Sequence, residues 1–383
     1  MKARYMIILA IETSCDDTCV AMLEIRNWKP RRKASFLRGR LEILSNVVSS
    51  QVKLHAKYGG VWPYLAKREH QKNLPVVFKK TLKEARLLLG KIDLISVTVG
   101  PGLEPCLWVG INFAKELAKK LKVPIIPVNH IEAHIAANFI GGNSKFQMGP
   151  SRGLGGRWAG RSPNSKNFFP AVCLVVSGGH TQLILMTNIG KYKILGETRD
   201  DAAGECFDKV ARILGLPYPG GPAIERQAAT LNLKPLTLNL RLPRPMIYQK
   251  NYDFSFSGLK TAVLYEAKDE MFKMKDKRYI QEMCFEVQQA IIDVLIYKTL
   301  KATKEYKAKS IILGGGVTAN DELRKQFKRV IKTQLPNTLY LMPNTSFCTD
   351  NAAMVAVAGY FHYLEGEKSD LEKIKANANL RLE

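Results

Sequence analysis

The chain has 383 residues, enough for two lobes with separate cores, and its 46% hydrophobic content excludes an intrinsically disordered protein. A formal charge of +24 favours an anionic partner such as nucleic acid or an acidic membrane, although a solvated basic surface would explain it equally well. No uncharged apolar stretch approaches the roughly 20 residues that span a bilayer. The N-terminus lacks a signal or transit pattern, and the seven cysteines include no C-x-x-C pair, so we expect a cytoplasmic protein without a membrane segment.

The first part of the chain alternates strands with helices. Strands are predicted over Tyr5 to Ile11, over Cys19 to Ile25, from Leu41, up to Gly100 and in IIPV before HIEAH, with helices over about Leu65 to Leu89 and Glu104 to Leu121. Strands joined by helical crossovers predict a largely parallel sheet.

A second cycle of strands and helices begins at Pro170. Strands are predicted over Ala171 to Val176 and in QLILM, YKILGET, SIILGGG and LYLMP, and helices over about Ala202 to Leu214, about Tyr279 to Tyr306, from Asn320 and in DNAAMVAVAGYFHYL. A mostly polar, Pro-rich section is expected up to about Tyr252.

Both cycles open with an apolar strand, a polar turn and a second apolar strand, in ILAIETSCDDTCVAML and CLVVSGGHTQLILM. This similarity predicts an α/β fold of two related lobes with a nucleotide and metal cleft between them. We expect an N-terminal lobe over residues 1–140 and a C-terminal lobe over 170–383, with a helical insertion at about 215–305.

Two stretches look like insertions. Residues 26–40 contain seven basic residues and no acid, and residues 141–167 contain five basic residues among many Gly, Ser and Asn. The second stretch forms most of a flexible basic insertion expected over 141–169. Either stretch could contact phosphates, or simply be a solvated loop.

His130 and His134 are four residues apart after a predicted strand, so on a helix they would share one face and could bind one metal ion. This spacing also occurs by chance. Glu132 would lie about 200° around the helix from His130 and is poorly placed as a protease base. Asp350 begins the last helix, either as its N-cap or as a third, carboxylate ligand.

Two glycine-bearing turns follow strands, in VVSGGHTQ and ILGGGVTAN. Glycine lets the main chain approach a phosphate closely, although each turn alone could be only a turn. Asp208, on a predicted helix, could accept hydrogen bonds from ribose hydroxyls or be a solvated acid. Two such turns in matching contexts favour a bound nucleotide.

Eleven motifs in order, from about Ile8 to Tyr363, make the chain resemble the TsaD family of tRNA threonylcarbamoyladenosine synthases, within the actin/hsp70/sugar-kinase (ASKHA) superfamily of RNase H-like lobes. They are IETSCDDT, QVKLHAKYGGV, GPGL, HIEAH, VVSGGHTQL, GETRDDAAGECFDK, YPGGP, RPM, DFSFSGLKT, GGGVTAN and CTDNAAM. SCDDT, SGGHTQ and DDAAGE resemble the bacterial and mitochondrial branch of the family, and the lack of a transit pattern favours the bacterial members.

The resemblance implies a metal-dependent acyltransferase of tRNA modification. It would move threonylcarbamoyl from threonylcarbamoyl-AMP to the N6 amine of the adenosine 3′ to the anticodon, in tRNAs that read codons beginning with A. It further implies a TsaB-like paralogue and a TsaE-like ATPase as partners, and no side-chain nucleophile.

The resemblance also implies a residue set. One divalent metal, Fe²⁺ or Zn²⁺, would be held by His130, His134 and Asp350. The adenylate would be held by Val175, Val176, Ser177, Gly178, Gly179, Asp208, Gly221 and Asn320. Tyr64 and Lys67 depart from the Glu and Ser expected of the family, which bears on tRNA and partner contacts near residues 60–70.

Other functions remain open from the residues themselves. An ASKHA-fold ATPase or kinase would keep the fold but has no use for paired histidines. A metalloprotease is suggested only by HIEAH, and a nucleic-acid-binding scaffold only by the charge. Loss of His130 would inactivate the transferase or the protease and barely affect the other two.

Overall fold

The computed structural model describes residues 5–26, 40–140, 168–231, 240–269, 276–367 and 369–382. Of the two basic stretches, residues 27–39 and 141–167 lie outside the described residues. The chain divides into two compact units. The first comprises Met1–Phe169, Thr187–Tyr192 and Leu341–Glu383, and the second comprises Pro170–Met186 and Lys193–Tyr340.

The first unit is built on a five-stranded sheet with the strand order β3-β2-β1-β4-β5. Its strands are β1 (Tyr5–Glu12), β2 (Asp17–Arg26), β3 (Arg40–Ser50), β4 (Leu94–Gly100) and β5 (Ile125–Asn129). The first three strands are antiparallel neighbours, whereas β1, β4 and β5 run parallel. The carboxyl ends of these three parallel strands therefore lie along one edge of the sheet.

Helices cover the first sheet because its central strands are apolar toward both faces. They are α1 (Val52–His55), α2 (Pro63–Ala85), α3 (Glu104–Leu121), α4 (His130–Ala136) and α10 (Ala352–Leu364). α2 and α3 contribute Leu74, Leu107 and Ile111 to a core with Leu9 and Ile11 of β1. All seven residues of β4 are buried, as the predicted apolar run requires.

The last helix, α10, packs on β1, β2 and β4 of the first sheet, although the sequence assigned residues 170–383 to the C-terminal lobe. Its residues 352–361 are all buried, so apolar neighbours must surround the helix on all of its faces. Gly359 permits the close approach, since a Cβ there would meet the Ser96 side chain of β4. Chain order alone does not reveal which sheet such a helix covers.

The second unit repeats this plan with the strand order β10-β9-β6-β7-β8. Its strands are β6 (Ala171–Val176), β7 (Thr181–Asn188), β8 (Lys191–Glu197), β9 (Ser310–Gly314) and β10 (Leu339–Leu341). As β1 does in the first sheet, β6 lies between an antiparallel hairpin partner and a parallel strand that comes later in the chain. The prediction of two related α/β lobes is confirmed.

Among its described residues, the second unit has five helices. They are α5 (Ala203–Ile213), α6 (Gly220–Ala229), α7 (Ser257–Asp269), α8 (Lys277–Glu305) and α9 (Asp321–Gln334). α6 and α7 lie within the helical insertion predicted at about 215–305, but the sequence did not place either helix individually, because PYPGGP and DFSFSG are typical of turns. α6 buries Ala223, Ile224 and Ala228 and packs on α5 and α8, so tertiary contacts stabilise a helix that its first residues disfavour. Among the described residues, no helix is long and apolar enough to cross a membrane.

Candidate metal centre and nucleotide-binding turns

Helix α4 places two histidines side by side at the carboxyl end of β5. Asn129 caps the helix, its Oδ1 accepting from the backbone N–H of Ile131 at 2.8 Å and of Glu132 at 3.3 Å. His130 and His134 are buried, and their ring centroids are 4.7 Å apart. The four-residue spacing thus puts both rings on one face, as predicted.

Asp350 lies two residues before α10, and its carboxylate is close to both histidines. The N-cap of α10 is Asn351, whose Oδ1 accepts from Met354 N at 3.0 Å, so Asp350 is not the cap that the sequence had left open. Asp350 Oδ1 lies 3.5 Å from His130 Nε2 and 3.3 Å from His134 Nε2. One ligand atom from each of the three residues lies within 4.8 Å of the others.

The surroundings of His134 indicate whether His130, His134 and Asp350 are suited to binding a metal ion. Both of its ring nitrogens are buried; Nδ1 has no hydrogen-bond partner among the described residues, and Nε2 meets only the Asp350 carboxylate, at 3.3 Å. A buried polar group without a partner is costly, and a bound cation would remove that cost. Burial also lowers the pKa of His134, which favours the neutral ring that coordinates metals. Two imidazoles and one carboxylate fit a divalent ion.

His130 has a different environment from that of His134. Its Nδ1 is 2.9 Å from Oε2 of Glu12, the last residue of β1. Burial alone would lower the pKa of His130, but the carboxylates of Asp350 and Glu12 outweigh it and raise the pKa to about 9. Glu12 was not among the residues predicted from the sequence, although a buried acid at the end of the apolar run YMIILAIE is a usable signal.

More acids lie close to this centre: Asp16 in the turn between β1 and β2, and Asp17 at the start of β2. Burial and then the charge of Asp350 raise the pKa of Asp16, and the same two causes raise that of Asp17 to about 7. Carboxylates that raise one another's pKa are short of positive charge. The surroundings of Asp350 therefore favour a cation electrostatically.

Glu132 lies on the opposite face of α4, as predicted, and has partners of its own. It accepts a hydrogen bond from Tyr192 Oη at 2.9 Å, and its other oxygen is 2.6 Å from His362 Nε2. His362 Nδ1 is in turn 2.7 Å from Glu367. These contacts tie α4 to α10 and leave Glu132 unsuited to activating a metal-bound water.

We expect the His362 contacts to make stability depend on pH. Burial alone would lower the pKa of His362, but Glu132 and Glu367 raise it to about 9, above the 6.5 of a free histidine. The stabilisation is therefore complete below about pH 6.5 and is lost as the pH rises through about 9. In urea unfolding of metal-free protein, His362→Gln should lose on the order of 2 kcal/mol relative to wild type at pH 6 and much less at pH 9.5. An equal deficit at both values would contradict a charged pair.

In the second unit, the two glycine-bearing turns follow adjacent parallel strands, since Val175 of β6 pairs with Gly314 of β9. Gly315 has φ +89°, and a Cβ there would meet the main chain of Val176. The SGG turn is closed by Ser177, whose N–H donates to His180 O at 2.8 Å. A Cβ at Gly178 or Gly179 would meet nothing within 4 Å, so space remains above this turn.

The other three residues of the expected adenylate set have local structural partners. Asp208 on α5 accepts from the backbone N–H of Gly220 at 2.6 Å, at the start of α6, which also contains Gly221. Asn320 caps α9 through Leu323 N at 2.8 Å and donates to Gln288 at 2.8 Å. Contacts of these residues with a ligand stay predictions.

Two sheets of matching strand order and a buried His₂Asp cluster define an α/β protein of the ASKHA fold with a site that fits a divalent metal. The family model of TsaD, described as tRNA N6-adenosine threonylcarbamoyltransferase, matches residues 42–150 and 158–357. The chain therefore belongs to the TsaD family, a family of transferases, as its motifs indicated.

Similar proteins cover nearly the whole chain. The tRNA N6-adenosine threonylcarbamoyltransferase of Thermosipho melanesiensis is 46% identical over 377 residues, which is 98% of this chain and 100% of that protein. The protein of the same name from Geobacillus kaustophilus is 41% identical over 98% of this chain and 96% of its own. Among solved structures, HypF of T. kodakarensis superposes with a TM-score of 0.54 at 15% identity, over 96% of this chain and 49% of that one. This last likeness shows a shared fold only.

Proposed function

We propose that this protein transfers a threonylcarbamoyl group from threonylcarbamoyl-AMP to the N6 amine of the adenosine 3′ to the anticodon, in tRNAs that read codons beginning with A. The match to the TsaD family over most of the chain carries the proposal. The buried His₂Asp cluster supports it, because a kinase of this fold has no need of paired histidines.

The reaction needs no side-chain nucleophile. The adenosine N6 attacks the carbamoyl carbon of the donor, a new N–C bond forms, the C–O bond to the phosphate breaks, and AMP leaves. The amine gives up one proton in the course of the transfer. The protein's task is then to hold donor and acceptor in reacting geometry and to stabilise the charge that develops on the oxygens.

His130, His134 and Asp350 would hold one divalent ion, Fe²⁺ or Zn²⁺. When bound, the ion supplies a Lewis acid for the phosphate or carbamoyl oxygens of the donor. Asn129 and Asn351 cap the two helices at the ends where these ligands lie, which stabilises the main chain that carries them.

In this proposal the second unit binds the adenylate. The phosphate would bind beside the SGG turn, which offers backbone N–H groups and space. The main chain in contact with it would be that of Val175, Val176, Ser177, Gly178 and Gly179. Asp208 would accept from ribose hydroxyls, and Gly221 and Asn320 would flank the base or the ribose.

The tRNA would be held by the basic surface of a chain with a formal charge of +24. The basic residues of 27–39 and 141–167 are candidates for phosphate contacts. We further propose that a TsaB-like paralogue and a TsaE-like ATPase complete the cytoplasmic machinery. Tyr64, with 72% of its surface exposed, is a candidate partner or tRNA contact where the family pattern is broken.

The competing functions predict different behaviour. A metalloprotease would need Glu132 at the metal, but Glu132 is engaged with Tyr192 and His362 on the other face of α4. An ATPase or kinase would consume ATP without the threonylcarbamoyl donor. Neither function requires tRNA.

A transfer assay tests the proposal. Purified protein, its two partner proteins, tRNA and threonylcarbamoyl-AMP are combined, and the tRNA is digested for nucleoside mass spectrometry. We expect threonylcarbamoyladenosine at the position 3′ to the anticodon only when donor and protein are both present. Competent partners without any modified adenosine, together with ATP hydrolysis by this chain alone, would favour the ATPase instead.

A further inference from the structure

We propose that Glu12 is a positioning residue that keeps a proton on Nδ1 of His130 and thereby directs His130 Nε2 to the metal. This inference rests on the proposed metal site. It concerns a residue at the end of β1 that is not itself one of the three ligand residues, and it explains why the two histidines have such different surroundings.

The contacts of Glu12 hold its carboxylate in one orientation. Its side chain is fully buried, and Oε2 lies 2.9 Å from His130 Nδ1. Thr98 Oγ1 on β4 donates to the same oxygen at 2.7 Å, and the backbone N–H of Ser14 donates to Oε1 at 2.6 Å. The strand β4 and the turn that follows β1 therefore fix both carboxylate oxygens.

A neutral imidazole carries its single proton on either Nδ1 or Nε2, and only the other nitrogen can bind a metal. An ionised carboxylate can only accept, so a hydrogen bond to Glu12 requires the proton to sit on Nδ1. The lone pair is then on Nε2, which is the nitrogen 3.5 Å from Asp350 Oδ1. Glu12 thus selects the tautomer that the ligand cluster needs.

Charge balance supports the same role. Both oxygens of Glu12 accept hydrogen bonds, from the Thr98 hydroxyl and from the Ser14 N–H, as an ionised carboxylate does. Glu12 and Asp350 together bring two negative charges to a site that fits a divalent cation. Partners of this kind raise the basicity of a ligating histidine as well as orienting it.

His134 provides a comparison within the same helix. Its Nδ1 has no hydrogen-bond partner among the described residues, and its Nε2 meets only the Asp350 carboxylate, at 3.3 Å, so no described residue holds a proton on Nδ1 before metal binding. His130 would then be the preorganised ligand, and His134 would settle only when the ion is present.

Glu12→Gln tests the inference, because the glutamine amide can donate to Nδ1 and so favour the proton on Nε2, which blocks coordination. We expect Zn²⁺ affinity, measured by competition with a chelator, to fall about tenfold to a hundredfold. Thr98→Val, which releases one carboxylate oxygen, should cause a smaller loss of a few fold. Ser96→Ala is the matched control, since Ser96 lies on the same face of β4 and has no hydrogen-bond partner among the described residues.

A second readout separates positioning from general damage to the fold. In Zn²⁺-loaded wild type with ¹⁵N-labelled histidine, His130 should show a protonated Nδ1 and a coordinated Nε2. A folded Glu12→Gln protein that binds Zn²⁺ within twofold of wild type would overturn the inference. If Glu12→Gln does not fold, wild-type affinity in Thr98→Val would overturn it instead.

The same measurements separate this inference from the function on which it rests. If the wild-type protein binds no Zn²⁺, both the proposed metal site and this inference are wrong. If the wild-type protein and Glu12→Gln bind Zn²⁺ equally tightly, the metal site stands and only the role of Glu12 is wrong.

Discussion

Replacing His134 by alanine should abolish transfer while leaving the metal-free protein nearly as stable as wild type. Nδ1 of the ring has no hydrogen-bond partner among the described residues, and Nε2 meets only Asp350, at 3.3 Å, so the substitution removes a buried polar group that is poorly satisfied without an ion. The ligand cluster would fall from three residues to two. If the ion contributes about 4 kcal/mol to transition-state stabilisation, kcat/KM should drop about a thousandfold. Nucleoside mass spectrometry measures the loss of transfer, bound-metal analysis measures the loss of the ion, and urea unfolding measures the stability of the metal-free protein.

His130→Ala is the matched comparison four residues away. It should abolish transfer as well, but it also leaves the buried carboxylate of Glu12 without its hydrogen-bond partner on the imidazole. Removing one member of a buried charge pair costs roughly 3 kcal/mol, so the metal-free protein should lose stability in this variant and not in His134→Ala. A His134→Ala protein that keeps wild-type kcat/KM would exclude metal ligation by this residue.

Gly178→Val should weaken donor binding about tenfold to a hundredfold without changing the fold. A Cβ at this position meets nothing within 4 Å, so a side chain would project into the space that we assign to the adenylate. A steric conflict of about 1 to 3 kcal/mol with a bound ligand corresponds to that range. The KM for the donor, from initial rates at saturating tRNA, and the Tm of the ligand-free protein are the measurements.

Gly204→Ala is the structural control for Gly178→Val. A Cβ at Gly204 would meet the main chain of Ser177 and the Cα of Gly178, so this smaller change should lower the Tm even without ligand. An unchanged KM in Gly178→Val would place the adenylate elsewhere. A lowered Tm in Gly178→Val would show that the space above the turn is smaller than the structure indicates.

Much of the fold could be predicted because strand and helix periods are strong in this chain. The helix Glu104–Leu121 and the strand Ala171–Val176 occur where the sequence predicted them, and the repeated strand–turn–strand pattern anticipated two sheets of matching order. The HIEAH spacing correctly put both histidines on one face of α4 and Glu132 on the other. Local periodicity was sufficient for each of these features.

The remaining features depend on contacts between segments far apart in sequence. α6 starts at a glycine pair and is stabilised by packing on α5 and α8, which a local pattern does not encode. Glu12 and His130 are 118 residues apart and meet because β1 and β5 end at the same sheet edge. An acid ending a buried strand is the kind of signal that could have identified Glu12. The capping by Asn351 rather than Asp350 is a one-residue distinction that required coordinates.

The most direct test of metal-dependent transfer uses the wild-type protein alone as its own control. Protein stripped of metal by a chelator is assayed with partners, threonylcarbamoyl-AMP and tRNA, then assayed again after Fe²⁺ or Zn²⁺ is restored under anaerobic conditions. We predict that threonylcarbamoyladenosine disappears on stripping and returns with about one equivalent of ion per chain, in agreement with the single His₂Asp cluster found among the described residues. Full transfer by metal-free protein would contradict the account.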